Sequence, residues 1–412
     1  MVLLVRALMK NNKELIFKNY EKKRSKVSFF PDSFDIEVTS FCNYECIMCP
    51  HSLLKNKIAK HLDMNVLERL LPYLDYCTKV SLQGDGEPFL NPQIEEIIKF
   101  FQARNIKLLT TTNLSVFNER LVHLINEAFD TVTISCDASE KELYEAIRKK
   151  GNFDNFRKNL SLIAKYVVNS KVIMNCVVMR QNLSGLADLV RFAAEYGIKH
   201  LVFSEILTDA DLQNEADSPA NYPVMTDFYV SEAVSVAEKL NVDLQVLWDY
   251  QLHREYSEEE LQSEKERAKS LASCNALSSE QQEHFIRRYL DLKNRPDYKP
   301  YQSGKYHCDG ICPNLYRKSY IDVSGNVTLC CYGKINAVGN ILEKDFGEIW
   351  NGDEYVSCRC EFFEHRLPNF CVGCKYAVAA QTFKDPQFDF HITDFDEAFM
   401  HDLSFWNNRT NR

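Results

Sequence analysis

Short β-type runs alternate with amphipathic helical stretches between Phe34 and about Ser204. Two of the helical stretches, NPQIEEIIKFFQARN and NLSGLADLVRFAAEYG, repeat apolar residues at helical spacing. The β-type runs are FDIEVT (34–39), KVSLQ (79–83), KLLTT (107–111), TVTIS (131–135), KVIMNCVV (171–178) and HLVFS (200–204). Six β–α repeats predict an α/β fold with a parallel sheet and helical crossovers, and periodicity alone does not choose between an open sheet and a barrel.

The pattern changes after residue 206. Residues 207–306 carry polar, charged helical stretches and end in NRPDYKPY, which predicts a helical insertion or linker. Residues 307–376 are cysteine-rich, and the turn signal DVSGNV lies between two β-type runs, which predicts a β-hairpin in a small C-terminal domain. We interpret residues 1–33 as an N-terminal extension. Residues 377–412 are interpreted as a C-terminal tail, in which we recognise no motif.

Length, composition and charge argue against several classes of function. The chain has 412 residues, of which 45% are hydrophobic, so it can build a sizeable core. Its net charge of −9 argues against binding to nucleic acid or to an anionic membrane. No apolar run approaches the length of a membrane helix, and the apolar N-terminus is short for a secretion signal. We therefore expect a cytoplasmic protein with reduced thiols.

The 15 cysteines are informative in a reducing compartment. Scattered ones are typical of buried small hydrophobic residues, and this interpretation suits Cys77, Cys136, Cys176 and Cys274. The remaining cysteines cluster towards the two ends of the chain, which indicates metal binding.

The first cluster of cysteines follows the first predicted strand. Cys42, Cys46 and Cys49 form C-x3-C-x2-C, which puts three thiolates on one tight loop. Such a loop can hold three irons of a [4Fe-4S] cluster and leave the fourth iron open. A zinc site with His51 as fourth ligand is the alternative, because structural zinc normally takes four ligands.

The segment TSFCNYECIMCPHS resembles the signature of the radical S-adenosylmethionine (radical SAM) superfamily. The resemblance implies a partial (β/α)6 TIM-like barrel over residues 34–206. It also implies S-adenosylmethionine as cosubstrate, bound by residues that follow the successive strands: Gly86 and Glu87 for the methionine amine, Thr112 and Asn113 near the ribose, and Ser135 and Arg148 for the carboxylate.

The chemistry of S-adenosylmethionine supports this set of residues independently of the resemblance. A zwitterionic amino acid needs an acid for its amine and an arginine for its carboxylate. Residues at the carboxyl ends of parallel strands point towards one shared site. Taken singly, Glu87 is equally compatible with a turn cap, and Arg148 with a solvated helix cation.

The second cluster of cysteines is C-terminal. Cys312, Gly325 and Cys330 form C-x12-G-x4-C, followed by Cys371-x2-Cys374. The pattern resembles the SPASM auxiliary-cluster domain or its shortened twitch form, which implies a second [4Fe-4S] cluster on these four cysteines. A four-cysteine zinc site is the alternative. No cysteine follows Cys374, so one auxiliary cluster is favoured over two, and the sequence assigns no role to Cys308, Cys331, Cys358 or Cys360.

The resemblance implies an oxidoreductase in which a 5′-deoxyadenosyl radical abstracts hydrogen from the substrate and the auxiliary cluster accepts an electron. An electron donor such as flavodoxin or ferredoxin is implied as partner. A single twitch-type cluster resembles that of a dehydrogenase of the family that acts on an aminocyclitol, whereas peptide-modifying members often carry an N-terminal leader-recognition domain. Residues 1–33 are too few for such a domain, so the resemblance implies a small polar substrate of sugar or cyclitol type over a peptide that would be cross-linked or epimerised. A non-catalytic iron–sulfur or zinc binding module is the alternative from another class, and the predicted amino-acid clamp argues against it. The sequence identifies no catalytic acid or base.

Overall fold

The computed structural model describes residues 11–12, 14–16, 18–19, 22–53, 60–206, 215–247, 257–260, 262–263, 314–330 and 337–363. The strands are β1 (Ser33–Ile36), β2 (Glu45–Cys46), β3 (Lys79–Leu82), β4 (Lys107–Thr112), β5 (Phe129–Ser135), β6 (Arg148–Lys149), β7 (Lys171–Val178), β8 (His200–Glu205), β9 (Asp243–Val246), β10 (Lys318–Ile321), β11 (Asn326–Thr328) and β12 (Gly339–Asn340). The helices are α1 (Met64–Leu74), α2 (Ile94–Gln102), α3 (Glu119–Ala128), α4 (Lys141–Ile147), α5 (Phe153–Tyr166), α6 (Leu186–Glu195), α7 (Pro223–Leu240), α8 (Asn314–Arg317), α9 (Phe346–Trp350) and α10 (Asp353–Phe363).

A large sheet of ten strands organises the molecule, in the order β12-β11-β10-β1-β3-β4-β5-β7-β8-β9. The six predicted strands are adjacent, parallel and in chain order from β1 to β8, with helices as crossovers. This confirms the α/β class with a parallel, barrel-like sheet. The predicted C-terminal hairpin is also present as β10 and β11, which pair antiparallel.

The sheet extends further than the sequence pattern indicates at both edges. The alternation of helix and strand continues through α7 to β9, which pairs parallel to β8 within the segment expected to be a helical insertion or linker. At the opposite edge, β10 pairs parallel to β1. The cysteine-rich C-terminal region is therefore joined to the barrel through backbone hydrogen bonds. The sequence of neither strand predicts that the two would pair.

The first strand is shorter than the predicted run 34–39. It ends at Ile36 because the next residues turn to a different partner: Val38 accepts a hydrogen bond from the Leu62 amide, and Thr39 forms an isolated bridge with His61. This change of partner directs the chain out of the sheet into the loop that carries the first three cysteines.

Alternating residues give the parallel strands two different faces. Residues such as Phe34, Leu82 and Ile134 are buried in the hydrophobic core. The residues between them on the same strands are largely polar, for example Asp35 on β1 and Thr133 on β5. The polar face continues to the carboxyl ends of the strands, where the candidate site lies.

Candidate iron–sulfur and S-adenosylmethionine site

Cys42, Cys46 and Cys49 lie on the loop that leaves β1. Cys46 is buried and the other two are half-buried. The loop is fixed by its own hydrogen bonds, since the Cys49 amide donates to the Cys46 carbonyl at 3.1 Å and Ser52 Oγ donates to the same carbonyl at 2.9 Å. Burial raises the pKa of all three thiols, that of Cys46 to about 12. Metal binding must therefore displace protons from them.

The arrangement of the loop bears on the choice between zinc and an iron–sulfur cluster. Within the described ranges, no three His, Cys, Asp or Glu side chains converge as they would on a single ion. A zinc ion would need such convergence, whereas in a cubane cluster each thiolate binds a different iron. The described residues thus show no preformed site for a single ion.

Arg148 lies directly against this loop and is buried, with 5% of its surface exposed. It begins β6, which pairs with β2 so that Arg148 is opposite Cys46. Its Nη1 lies 4.0 Å from the Cys46 sulfur, and its Nη2 forms an ion pair with Asp137 Oδ2 at 2.8 Å. Its Nε is buried and has no hydrogen-bond partner among the described residues. Arg148 is thus no solvated cation, and it retains an N–H group that a bound carboxylate could accept from.

Glu87 connects the loop after β3 to the end of β4. One carboxylate oxygen accepts from Thr112 Oγ1 at 2.7 Å and the other from the Asn113 amide at 2.6 Å. The first oxygen also caps a short 3-10 helix through the Phe89 amide at 3.4 Å. Burial raises the pKa of Glu87 to about 7. Among the described residues no lysine ammonium contacts this carboxyl, and a bound amine would lower its pKa again.

Asn113 links Glu87 to the cysteine loop. Its side-chain Nδ2 lies 3.8 Å from the Cys42 sulfur and donates to Asn43 Oδ1 at 3.1 Å. Ser115 Oγ donates to the same Asn43 oxygen at 3.2 Å. The end of β4 therefore holds the loop between its first two cysteines.

Gly86 provides the close approach between these two loops. The Glu87 amide donates to the Phe41 carbonyl at 2.8 Å. A Cβ atom at Gly86 would collide with the Thr39 carbonyl and lie 2.6 Å from the Phe41 carbonyl oxygen. Only glycine fits this position without moving the loop that carries Cys42.

Thr112 and Ser135, two other predicted ligands, differ in position. Thr112 is buried at 1% exposure, and its hydroxyl both donates to Glu87 and accepts from the Leu114 amide at 3.0 Å. It therefore supports Glu87. Ser135 is half-buried at the end of β5, opposite Asn175 of β7 on the polar face.

Of the predicted auxiliary ligands, Cys330 is described and half-buried, two residues after β11. Gly325 lies in the preceding turn with a φ of 80°, in the left-handed region that favours glycine. Cys312, Cys371 and Cys374 lie outside the described residues, as do Cys308 and Cys331.

The two remaining unassigned cysteines lie on α10. Cys358 is buried and Cys360 half-buried. Residues two apart on a helix point in widely different directions, so this helix does not present both thiols to one metal. Burial raises the pKa of Cys358 to about 12, which suits a protonated thiol in the core.

Comparison with known families finds two domain models that match this chain. The radical SAM superfamily model matches residues 36–193, and the SPASM iron–sulfur cluster-binding model matches residues 312–375. The chain therefore carries a radical SAM domain over residues 36–193. This radical SAM protein is also shown to carry a SPASM domain, and the two matches imply S-adenosylmethionine and [4Fe-4S] clusters as its cofactors.

Individual relatives are distant. The radical SAM protein is 30% identical to a probable GTP 3′,8-cyclase from Thermococcus kodakarensis over 165 residues, which are 39% of this chain and 53% of the cyclase. It is 26% identical to the mycofactocin maturase MftC from Mycolicibacterium smegmatis over 39% of this chain and 41% of the maturase. It thus spans about half the length of the curated relatives it matches.

The fold is shared with SuiB from Streptococcus suis bound to S-adenosylmethionine. The TM-score is 0.59 at 16% identity, over 93% of this chain and 81% of SuiB. SuiB has also been solved with its precursor peptide SuiA. At this identity the likeness concerns the fold alone. Within the described part of the radical SAM protein, no helix is both long and apolar enough to cross a membrane.

Three residues near the site, Asp137, Asn43 and Glu37, had no role predicted from the sequence. Asp137 nevertheless pairs with Arg148, Asn43 accepts from Asn113, and Glu37 accepts from the Asp85 amide at 2.8 Å. Each follows or lies within a segment next to a strand end. That position was the one signal that could have found them, since a strand end predicts a place near the site without naming a partner.

Proposed function

We propose that this protein cleaves S-adenosylmethionine reductively at a [4Fe-4S] cluster held by Cys42, Cys46 and Cys49. The observation that carries the proposal is the convergence of the cysteine loop, the buried carboxyl of Glu87 and the unsatisfied Nε of Arg148. When bound, the reduced cluster supplies the electron that splits S-adenosylmethionine into methionine and a 5′-deoxyadenosyl radical, which abstracts hydrogen from the substrate.

The residues of the chain bind and orient the cosubstrate. Glu87 receives the methionine amine, beside Gly86, and Arg148 receives the carboxylate through its Nε. Asn113 and Ser135 lie at the ends of neighbouring strands and take the ribose and the carboxylate side. Thr112 holds Glu87 in place through the 2.7 Å hydrogen bond. Burial of Glu87 and Arg148 keeps water from competing for these contacts.

For the substrate we propose a small polar molecule of sugar or cyclitol type, oxidised with the auxiliary cluster as electron acceptor. Support comes from the polar face at the carboxyl ends of the strands. Ser204 Oγ donates to Asn175 Oδ1 at 3.1 Å, and Thr111 Oγ1 donates to Gln83 Oε1 at 3.1 Å. Hydroxyl and amide groups of this kind recognise a polyhydroxylated ligand through hydrogen bonds.

A peptide is the second candidate substrate. It is favoured by the names of the relatives, since MftC is a maturase and SuiB was solved with a precursor peptide. The two candidates are separated by incubating the reduced enzyme with S-adenosylmethionine in deuterated buffer and with panels of cyclitols or precursor peptides. Substrate-dependent 5′-deoxyadenosine formation with one panel and not the other identifies the class.

Reductive cleavage is tested with the variant Cys42→Ala/Cys46→Ala/Cys49→Ala. It should lose one cubane cluster, about four irons, and all 5′-deoxyadenosine formation. Cys77→Ala serves as control, because this thiol is buried in the core before β3, where it donates to the Lys79 carbonyl. Reductive cleavage by the triple variant would overturn the proposal.

The auxiliary cluster is tested with Cys371→Ala/Cys374→Ala. Reconstituted wild type should hold about eight irons and this variant about four. If circular dichroism matches wild type, the variant should still make 5′-deoxyadenosine but little oxidised product, because the substrate radical has lost its acceptor. Normal yields of oxidised product would eliminate the acceptor role, and zinc at the four cysteines would eliminate the cluster.

A further inference from the structure

Two N–H groups point at the sulfurs of the cysteine loop. Arg148 Nη1 lies 4.0 Å from Cys46 Sγ, and Asn113 Nδ2 lies 3.8 Å from Cys42 Sγ. Hydrogen bonds to ligating sulfurs and nearby charge are levers by which a protein sets the reduction potential of an iron–sulfur cluster.

The Arg148 charge is held in place by a residue with no predicted role. Asp137 lies just after β5, and its side chain is fully buried. Its Oδ2 forms the 2.8 Å ion pair with Arg148 Nη2, and its Oδ1 accepts from the Val177 amide of β7 at 2.8 Å. Asn182 Nδ2 donates to the Asp137 carbonyl at 3.0 Å. Asp137 is therefore anchored to the sheet and positions the guanidinium against Cys46.

We propose that the buried Asp137–Arg148 pair, together with the Asn113 amide, sets the reduction potential of the cluster on Cys42, Cys46 and Cys49. Asp137 is a positioning residue in this arrangement, and the inference rests on the proposed function. Reduction adds one negative charge to the cluster. A nearby positive charge therefore favours the reduced state, and a nearby negative charge opposes it. Both side chains are almost fully buried, so solvent and salt screen the effect weakly.

The signs of the expected shifts follow directly. Asp137→Asn removes a negative charge and should shift the potential in the positive direction. Arg148→Gln removes a positive charge and should shift it in the negative direction. The double variant Asp137→Asn/Arg148→Gln removes both and should fall between the single variants. Arg148→Lys keeps the charge but loses the planar fork, so it should hold the potential close to wild type while S-adenosylmethionine binds more weakly.

The measurement is a redox titration of anaerobically reconstituted holoprotein. The titration is monitored through the electron paramagnetic resonance signal that changes when S-adenosylmethionine is added. Calorimetry gives the affinity for S-adenosylmethionine in parallel. The exposed ion pair Lys107–Asp130 provides the matched control, and Asp130→Asn should leave the potential unchanged. Shifts of the same sign in the two single variants, or no shift in either, would overturn the inference.

Breaking a buried ion pair can prevent folding, so a variant that leaves the pair intact completes the test. Asn113→Ser removes the Nδ2 donor to Cys42 but keeps the backbone amide that binds Glu87. It should shift the potential in the negative direction, and an unchanged potential would contradict the proposal. Failure of the proposed function gives a different result. In that case the wild type has no cluster signal responsive to S-adenosylmethionine, and the three-cysteine variant retains all its iron.

Discussion

Burial changes the acidity of a single residue, Glu87. The residue is 3% exposed, and three hydrogen-bond donors contact its carboxyl group, but none of these donors is an ammonium group. Desolvation outweighs those hydrogen bonds and raises the pKa to about 7. The residue is therefore both a turn cap and a buried acid, and the cap alone does not account for its pKa.

We expect the stability of the protein to depend on pH through Glu87. Its pKa rises from 4.5 to about 7 on folding, so between these values the unfolded chain releases a proton that the folded protein keeps. The free energy of unfolding should fall by up to about 3 kcal/mol as pH rises through this window. Urea denaturation of wild type and Glu87→Gln from pH 4 to 8, without S-adenosylmethionine, measures the difference. An identical pH dependence of the two proteins would contradict this assignment.

Residue types at strand ends were predictable from sequence, and their partners were not. Arg148 and Glu87 follow strands in a recognisable order, which placed them near the cysteines. Asp137 also follows a strand, but its pairing with Arg148 depends on how α4 returns the chain to β6. A contact of this kind is set by tertiary geometry, so no local pattern reports it. The roles of Gly86, Thr112, Asn113, Ser135 and the cluster cysteines stay predictions.

At the scale of elements, two loops meet with no space between their backbones. The loop after β3 and the loop after β1 are joined by the Glu87–Phe41 hydrogen bond, and Gly86 lies at the contact. The sequence GDGEP predicts a turn after β3. It does not predict that the glycine faces another backbone, because that depends on the path of the loop after β1.

We expect Gly86→Ala to displace the cysteine loop. The added methyl group would overlap the Thr39 and Phe41 carbonyls, which are backbone atoms and cannot rotate away. The free energy of unfolding should fall by about 1–3 kcal/mol, the scale of overpacking, and the catalytic cluster should lose iron. Iron analysis and denaturation measure both effects.

Gly185→Ala is the matched control for this substitution. Nothing lies within 4 Å of a Cβ atom at Gly185, which directly precedes α6. The control should keep the iron content of wild type. Full iron content in Gly86→Ala as well would mean that the loop tolerates the displacement.

The strands at the edges of the sheet could not be placed from the sequence. Periodicity identified the six central strands because each buries an apolar face. The strands β9 and β10 are four residues long, and their neighbours are set by chain path. The attachment of the hairpin to β1 therefore had to come from the structure.

At the scale of the whole molecule, the segment 24–30 connects the barrel to the C-terminal region. Trp350 Nε1 donates to the Phe29 carbonyl at 2.9 Å, and Asn351 exchanges two hydrogen bonds with the Val27 backbone. Tyr316 Oη donates to the Arg24 carbonyl at 2.8 Å. The barrel also contacts this region directly through the 2.7 Å ion pair of Asp32 and Arg317. The C-terminal region is thus held by an N-terminal segment for which the sequence predicted no role.

Arg359 lies at the centre of this contact and is fully buried. Its Nε donates to the Leu315 carbonyl at 3.0 Å, and its Nη1 donates to the Ser25 and Trp350 carbonyls at 3.0 and 3.1 Å. The guanidinium also lies over the rings of three aromatic residues, nearest to Trp350 at 4.5 Å. Burial lowers the pKa of Arg359 to about 10, so the group stays charged at neutral pH and its hydrogen bonds are charge-assisted.

We expect Arg359→Lys to loosen the N-terminal segment from the C-terminal region. A lysine keeps the charge but has one nitrogen, which cannot reach carbonyls on three separate segments. The loss should be about 3 kcal/mol in the free energy of unfolding, the scale of charged hydrogen bonds. Trypsin should also cleave faster after Arg24 and Lys26, which flank Ser25. Arg191→Lys is the control, because Arg191 is half exposed and pairs only at the surface with Asp188. If Arg359→Lys matched that control in both denaturation and cleavage rate, the segment would be held by the Trp350 and Asn351 contacts without the arginine.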